Sequence, residues 1–268
     1  MNIECYKNMF NLENKNILIT GAAGYLGRSI SYAVAANGGY AVLNGRSKKS
    51  LEDLKKEIIK SGGACETAVF DIQDDTAVSN YFKKNEDKPI HGLVNNAYSG
   101  SSGSLMTSED DEYANAYDVS VVAAQRLIKK VAPSMMLAHE DNQNPSIVNI
   151  ASMYGLVSPD INIYQDKSSA NPPFYGAAKA ALIQLTKYSA CELGNKGIRV
   201  NSISPGAFPS EDTQKKHPEL IKKLIKKIPL RTVGQPIEVA SAVVFLLSNG
   251  ASFINGENLV IDGGWTSL

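Results

Sequence analysis

The sequence predicts an α/β protein: one doubly wound parallel sheet of about seven strands with helices on both faces. Short apolar runs alternate with longer amphipathic segments from end to end. The short runs are continuously apolar, as strands covered on both faces require. Each amphipathic segment is long enough to cross between parallel neighbours. No repeat, low-complexity tract or linker divides the 268 residues, a length that one sheet domain commonly reaches. Residues 1–268 are therefore expected to form a single domain.

Taken in order, the strand candidates are 16–20 (NILIT), 40–44 (YAVLN), 65–70 (CETAVF), 92–95 (GLVN), 146–151 (SIVNIA), 199–204 (RVNSIS) and 258–261 (NLVI). Helices are expected over 25–37, 50–61, 76–84, 110–137, 176–193 and 237–247. Gly38 and Gly39 follow Asn37, and Gly62 and Gly63 follow Ser61, so the first two helices have left-handed stops. A further segment, 218–228, carries Leu220, Ile221, Leu224 and Ile225 as an apolar stripe beside paired lysines. Residues 156–173 are polar, contain three prolines and read as a long loop. Such loops in compact domains are usually functional or disordered.

Apolar residues make up 43% of the chain, enough for a sizeable core. The 27 basic and 27 acidic residues cancel, which removes the electrostatic argument for nucleic acid or an anionic membrane as partner. Residues 1–13 lack a leader pattern, and no apolar run approaches the roughly 18 residues that span a bilayer. A cytoplasmic location is expected. Cys5, Cys65 and Cys191 are scattered and odd in number, and read as reduced structural thiols. His91, His139 and His217 are isolated, so no metal site is expected.

Thr20-Gly21-Ala22-Ala23-Gly24-Tyr25-Leu26-Gly27 follows the first strand and opens the first helix. Glycines there permit a tight turn and bring backbone close to a pyrophosphate at a helix N-terminus. Gly21, Gly24, Leu26 and Gly27 are candidate cofactor-binding residues. Asp71, with Ile72 beside it, ends the third strand. Its carboxylate either accepts from an adenine amino group or caps the next helix, where Asp74 competes. The second strand ends Asn44-Gly45-Arg46-Ser47 with no acidic residue to hold a ribose 2′-hydroxyl. Arg46 and Ser47, near Lys48 and Lys49, suit a 2′-phosphate, so NADP(H) is expected over NAD(H). The competing reading makes Arg46 a solvated loop charge.

Tyr175 and Lys179 lie four apart at the start of a helical pattern, on one face. A phenol ordinarily ionises near pH 10. A neighbouring ammonium favours the phenolate, fitting Tyr175 to act as acid or base at a carbonyl or alcohol oxygen. Ser152 ends the fifth strand, where such sheets bind ligands, and its hydroxyl is placed to share in stabilising the reacting oxygen.

With these residues in place, the chain resembles the short-chain dehydrogenase/reductase superfamily from Lys15 to Trp265. The matching pieces are the glycine turn, Asp71, Asn95-Asn96-Ala97, Ser152, Tyr175 with Lys179, residues 198–206 (IRVNSISPG), and Ile254-Asn255-Gly256 through Asp262-Gly263-Gly264. The resemblance implies a Rossmann domain in which Ser152 positions the substrate oxygen, Tyr175 transfers the proton and Lys179 binds the nicotinamide ribose. It places Asn96 and Ala97 at the cofactor and Pro205 and Gly206 beside the nicotinamide. It implies a homotetramer or homodimer built on the helices at 110–137 and 176–193, and a mobile lid over 207–230. Trp265 is expected at a subunit interface.

Several positions depart from the family. The glycine spacing looks like the longer branch that holds sugar-nucleotide epimerases and dehydratases, with Tyr25 where the short branch has glycine. Tyr98 replaces the usual glycine after the paired asparagines and is expected to shape the active-site mouth. Ser120 aligns with an asparagine that commonly holds a proton-relay water, and Ser210 with a threonine near the nicotinamide amide. Ser152 and Tyr175 are farther apart than usual, and the surplus is the polar loop 156–173, with Asp160, Asn162, Tyr164, Gln165, Asp166, Lys167 and Asn171. That loop is expected over the substrate cleft, or else as a solvated insertion or oligomer contact. Residues 152–155 and 171–175 look like members found with bacterial surface-polysaccharide or flagellar-sugar pathways.

The activity expected is NAD(P)-dependent interconversion of a secondary alcohol and a ketone on a small polar molecule, plausibly a sugar derivative. Two alternatives stay open: an epimerase or dehydratase with an internal redox cycle, and a non-catalytic dinucleotide sensor.

Overall fold

A computed structural model describes residues 3, 6, 8–164 and 170–268. Cys5, Gln165, Asp166 and Lys167 lie outside the described residues. The seven strands are β1 (Asn16–Ile19), β2 (Tyr40–Gly45), β3 (Ala64–Val69), β4 (Gly92–Asn95), β5 (Ser146–Ile150), β6 (Arg199–Pro205) and β7 (Asn258–Ile261). They form one parallel sheet in the order β3-β2-β1-β4-β5-β6-β7. The direction of winding reverses between β1 and β4, which opens a crevice at their carboxyl ends.

Successive side chains of a strand point to opposite faces, and here both faces are apolar. Ile17 and Ile19 of β1 join Val94 and Val148 on one face, under α1 (Tyr25–Ala36), α2 (Lys48–Lys60) and α9 (Pro236–Leu247). Leu18 joins Leu93 and Ile147 on the other, under α3 (Asp75–Lys84), α5 (Ala123–Glu140) and α6 (Pro173–Gly194). The continuous apolar strands thus have the physical cause expected of them. Helix starts follow side-chain caps: Ser47 accepts from the Ser50 amide before α2, and Asp74 accepts from the Ala77 amide before α3.

One expected helix is interrupted. The segment read as a single helix over 110–137 is α4 (Asp110–Tyr117), a π-helical stretch (Asp118–Val122), and then α5. A widened turn leaves no mark in apolar periodicity, and such turns are frequent at functional sites. The remaining helices are α7 (Glu211–Lys216) and α8 (Pro218–Lys227).

The first part of the polar segment, 156–164, is less loop-like than its polarity suggests. Its short 3₁₀ turn, Ile161–Ile163, seats Ile163 in a cluster with Ile221, Leu224, Ile228 and Val233. Asp160 forms an ion pair with Lys227, and Lys223 Nζ approaches the Asn162 carbonyl at 3.5 Å. Trp265 packs within the same cluster, with the Lys227 ammonium 5.8 Å from its ring.

The edge strand β7 is held by a buried amide. Asn201 Nδ2 donates to the Ile254 carbonyl at 2.9 Å, and its Oδ1 accepts from the Glu257 amide at 2.9 Å. Replacing Asn201, itself fully buried, by Leu removes both of these hydrogen bonds. The expected cost is about 2 kcal/mol or more, read as a lower urea midpoint at unchanged m-value.

Candidate active site

A cleft of about 460 Å³ lies over the carboxyl ends of β1, β2 and β4. It brings together ten residues singled out in the sequence: Gly21, Gly24, Leu26, Gly27, Arg46, Ser47, Asp71, Ile72, Asn96 and Ala97. The turn between β1 and α1 is as tight as glycine allows. Gly21 has φ +62° and packs on Ala97, while a Cβ on Gly27 would fall 2.1 Å from the Gly21 carbonyl oxygen. No side chain caps the N-terminus of α1 and no acidic residue stands in its first turn. The amides of that turn face the cleft as a ready anion site.

Thr20 was not singled out in the sequence, yet it ties the floor of the crevice. Its Oγ1 donates to the Val94 carbonyl at 3.2 Å and accepts from the Asn96 and Ala97 amides at 2.9 and 3.0 Å. Asn96 Nδ2 returns a hydrogen bond to the Thr20 carbonyl at 2.9 Å. Tyr25 also gains a partner that no local pattern announces, donating from its hydroxyl to the Pro209 carbonyl at 3.1 Å.

Asp74, not Asp71, caps α3. Asp71 accepts from the Gln73 amide at 3.0 Å and faces the exposed Arg46 guanidinium at 3.9 Å across the cleft. Ser47 both caps α2 and lines the cleft. Pro205 and Gly206 close β6 outside that lining. A Cβ on Gly206 would come 2.5 Å from Asp262, so strand-to-strand contact requires glycine there. Ser210 is occupied in capping α7, accepting from the Thr213 amide at 3.2 Å.

The second group lies one step along the sheet. Ser152, buried at the end of β5, accepts from the Tyr154 amide at 3.1 Å, and its hydroxyl lies close enough to Tyr175 to support the phenolate form. Tyr175 stands in the first turn of α6, with Lys179 one turn on, and Lys179 Nζ donates to the Ile150 carbonyl at 2.7 Å. The ionisation reasoning from spacing needs correcting. Burial pushes the Tyr175 phenol up, partly offset by the Ser152 hydroxyl, and pushes the Lys179 ammonium down to about 8. Desolvation wins because Lys179 is only 3% exposed.

Ser120 lies in the π-helical stretch, buried and with its hydroxyl unpartnered. It shares a void of about 10 Å³ with Lys179, Asn95 and Thr20, close to the least volume that holds one water. Tyr98, half-buried, lines the cofactor-sized cleft and also touches Tyr175, and so joins the two groups. Among the described residues no cluster could hold a metal ion, and no helix is long and apolar enough to cross a membrane.

The family model described as enoyl-(acyl carrier protein) reductase matches residues 21–266. The chain belongs to the short-chain dehydrogenase/reductase superfamily. It is 31% identical over 255 residues to a 3-oxoacyl-(acyl-carrier-protein) reductase of Thermotoga maritima, covering 94% of this chain and 98% of that one. Among solved structures, a gluconate 5-dehydrogenase from Burkholderia cenocepacia in complex with NADP and tartrate superposes with TM-score 0.86. It is 26% identical and covers 97% of this chain and 98% of its own. A 7α-hydroxysteroid dehydrogenase complexed with NADH and 7-oxo glycochenodeoxycholic acid superposes with TM-score 0.84 at 29% identity, covering 96% of both chains. The uncapped helix end and the cradle that a Cβ would fill fit the dinucleotide this superfamily uses.

Gly27→Ala forces the turn apart without touching Ser152, Tyr175 or Lys179. Fluorescence titration of this short-chain dehydrogenase/reductase with NADPH is expected to give at least about tenfold weaker binding, the equivalent of ~1.4 kcal/mol.

Proposed function

We propose that this short-chain dehydrogenase/reductase interconverts a secondary alcohol and a ketone on a small polar molecule, most simply a sugar derivative, and prefers NADP(H) to NAD(H). The observation that carries the reading is the grouping of Ser152 and Tyr175 beside the buried Lys179 at the carboxyl end of β5. When bound, the nicotinamide supplies or takes the hydride. Ser152 Oγ and Tyr175 Oη hold the substrate oxygen between them. In the reductive direction Tyr175 gives its hydroxyl proton to that oxygen, and in the oxidative direction it takes one back. The Lys179 ammonium beside it favours the phenolate whenever that form appears. Ser120 carries the replacement proton through a water in this reading, which its unpartnered hydroxyl and the small void beside it support.

Arg46 supports the cofactor preference: it is exposed at the end of β2 and paired only loosely with Asp71, so it is free to meet a 2′-phosphate. The segment 156–173 supports a polar substrate. Its residues 160–163 dock on α8, and Asn171 Oδ1 is a buried acceptor with no partner among the described residues. The gluconate 5-dehydrogenase likeness points the same way, and the 7α-hydroxysteroid dehydrogenase likeness points to a larger apolar ligand. Segments 156–173 and 207–230 act together as the substrate cover in this reading. Exposed Tyr117, Val122 and Tyr188, on α4, the π-helical stretch and α6, support pairing of copies through those helices.

An internal redox cycle, as in an epimerase or dehydratase, is favoured only by the glycine spacing. Net absorbance change at the nicotinamide band separates it from simple alcohol–ketone exchange, and binding without turnover on a broad panel would favour a sensor.

Two substitutions test the reading, using a panel of polyols, aldonates and keto-sugars. Tyr175→Phe is expected to lower turnover by about 100-fold or more with NADPH affinity within a few-fold of the parent; normal turnover overturns the assignment. Arg46→Ala is expected to weaken NADPH by about tenfold, the loss of one charge-assisted contact, and to leave NADH unchanged. Equal weakening of both would remove the 2′-phosphate role.

A further inference from the structure

Lys179 raises a problem of charge. Its ammonium is buried, and its one hydrogen-bond acceptor among the described residues is the neutral Ile150 carbonyl. Among the described residues no carboxylate forms an ion pair with it. The groups around it are Tyr175 on its own helix, Ser152 at the end of β5, Thr20, Asn95 and Ser120 around the small void, and Tyr98. Beyond these, Tyr154 lies near Tyr175 and Glu112 near Tyr98. A buried cation with so little hydrogen bonding needs another source of compensation.

Tyr98 supplies one. The Lys179 Nζ lies 5.3 Å from the centroid of the Tyr98 ring and 5.7 Å from that of Tyr175, inside the range where a ring face attracts a cation. The attraction is largest where water is excluded. The two rings meet edge to face, with centroids 4.9 Å apart at 76°, an arrangement that fixes their mutual angle. The Tyr98 hydroxyl is buried without a partner among the described residues, so it is the ring and not the hydroxyl that makes these contacts. A glycine here would leave the ammonium with one ring face and Tyr175 with no neighbour on that side.

We propose that Tyr98 is a positioning residue: its ring seats the Lys179 ammonium and holds Tyr175 edge-on, so the pair is in register before any ligand arrives. The proposal rests on the reading of Tyr175 and Lys179 as the proton-transfer pair. It assigns to Tyr98 the role that a counter-ion or solvent plays elsewhere.

The test is a pH titration of the ligand-free, full-length protein labelled with [15Nζ]lysine, followed by NMR. The Lys179 signal is identified by its loss in Lys179→Met. The parent is expected to titrate near 8. Tyr98→Phe keeps the ring face and is expected to match it. Tyr98→Leu keeps apolar bulk and excludes water but has no ring face, so the charged form loses support and the midpoint falls by at least about half a unit, a threefold change in the ionisation constant. Tyr98→Met, equally without a ring, serves if the leucine variant does not fold. A leucine or methionine variant that titrates with the parent overturns the proposal, and so does a phenylalanine variant that shifts with them. No substrate or turnover enters this measurement. Its failure is therefore distinct from failure of the proton-transfer reading, which would appear as normal turnover in Tyr175→Phe.

Discussion

At the carboxyl ends of β1 and β4, two stretches of the chain leave the sheet in opposite directions, and one threonine ties them together. Thr20 accepts from the Asn96 and Ala97 amides and donates to the Val94 carbonyl, and Asn96 answers with a hydrogen bond to the Thr20 carbonyl. Without that tie the crevice between the two exits would have no fixed width. With it, Gly21 is drawn against Ala97 and the amides at the start of α1 point into a defined space. The cleft that fits a dinucleotide, and the position of Tyr98 two residues beyond the tie, both follow from it.

Burial is the second constraint, and it acts against charge. Placing Lys179 under the end of β5 lowers its hold on a proton, and placing Tyr175 beside it raises the phenol. The two shifts bring groups that ordinarily ionise near the same pH apart in the unfavourable sense: the ammonium is easier to discharge and the phenol harder. What offsets this is local: the Ser152 hydroxyl favouring the Tyr175 phenolate, one carbonyl for Lys179, and aromatic faces on two sides. The site is thus preorganised by contacts that only a dry, packed environment makes worth having.

The segment 156–173 shows how a polar insertion is tamed. A free polar loop of this length would carry a large ordering cost when it closed on a ligand. Here Ile163 anchors it to α8, and Asp160 and Asn162 meet Lys227 and Lys223. Residues 160–163 are thereby held on α8, and Lys223 and Lys227 of that helix are partly spent on holding them.

The sequence by itself determined the seven strands, the parallel winding, the glycine turn and the Ser152, Tyr175 and Lys179 set. Each rests on a local rule: two-sided burial makes continuous apolar runs, a tight turn demands glycine, and four residues make one helical turn. Tertiary structure alone decided the rest. The break of the helix at 118–122 is a change of hydrogen-bond partner that leaves apolar spacing nearly untouched. The choice of Asp74 over Asp71 as cap depended on which carboxylate met an amide in space. The ionisation of Tyr175 and Lys179 could not be read from their spacing, because spacing gives distance along a helix whereas desolvation depends on what the other elements cover. The contacts of Tyr98 were hidden for the same reason: it meets Tyr175 and Lys179 only because the sheet sets β4 beside β5, and no local pattern records which strands will be neighbours.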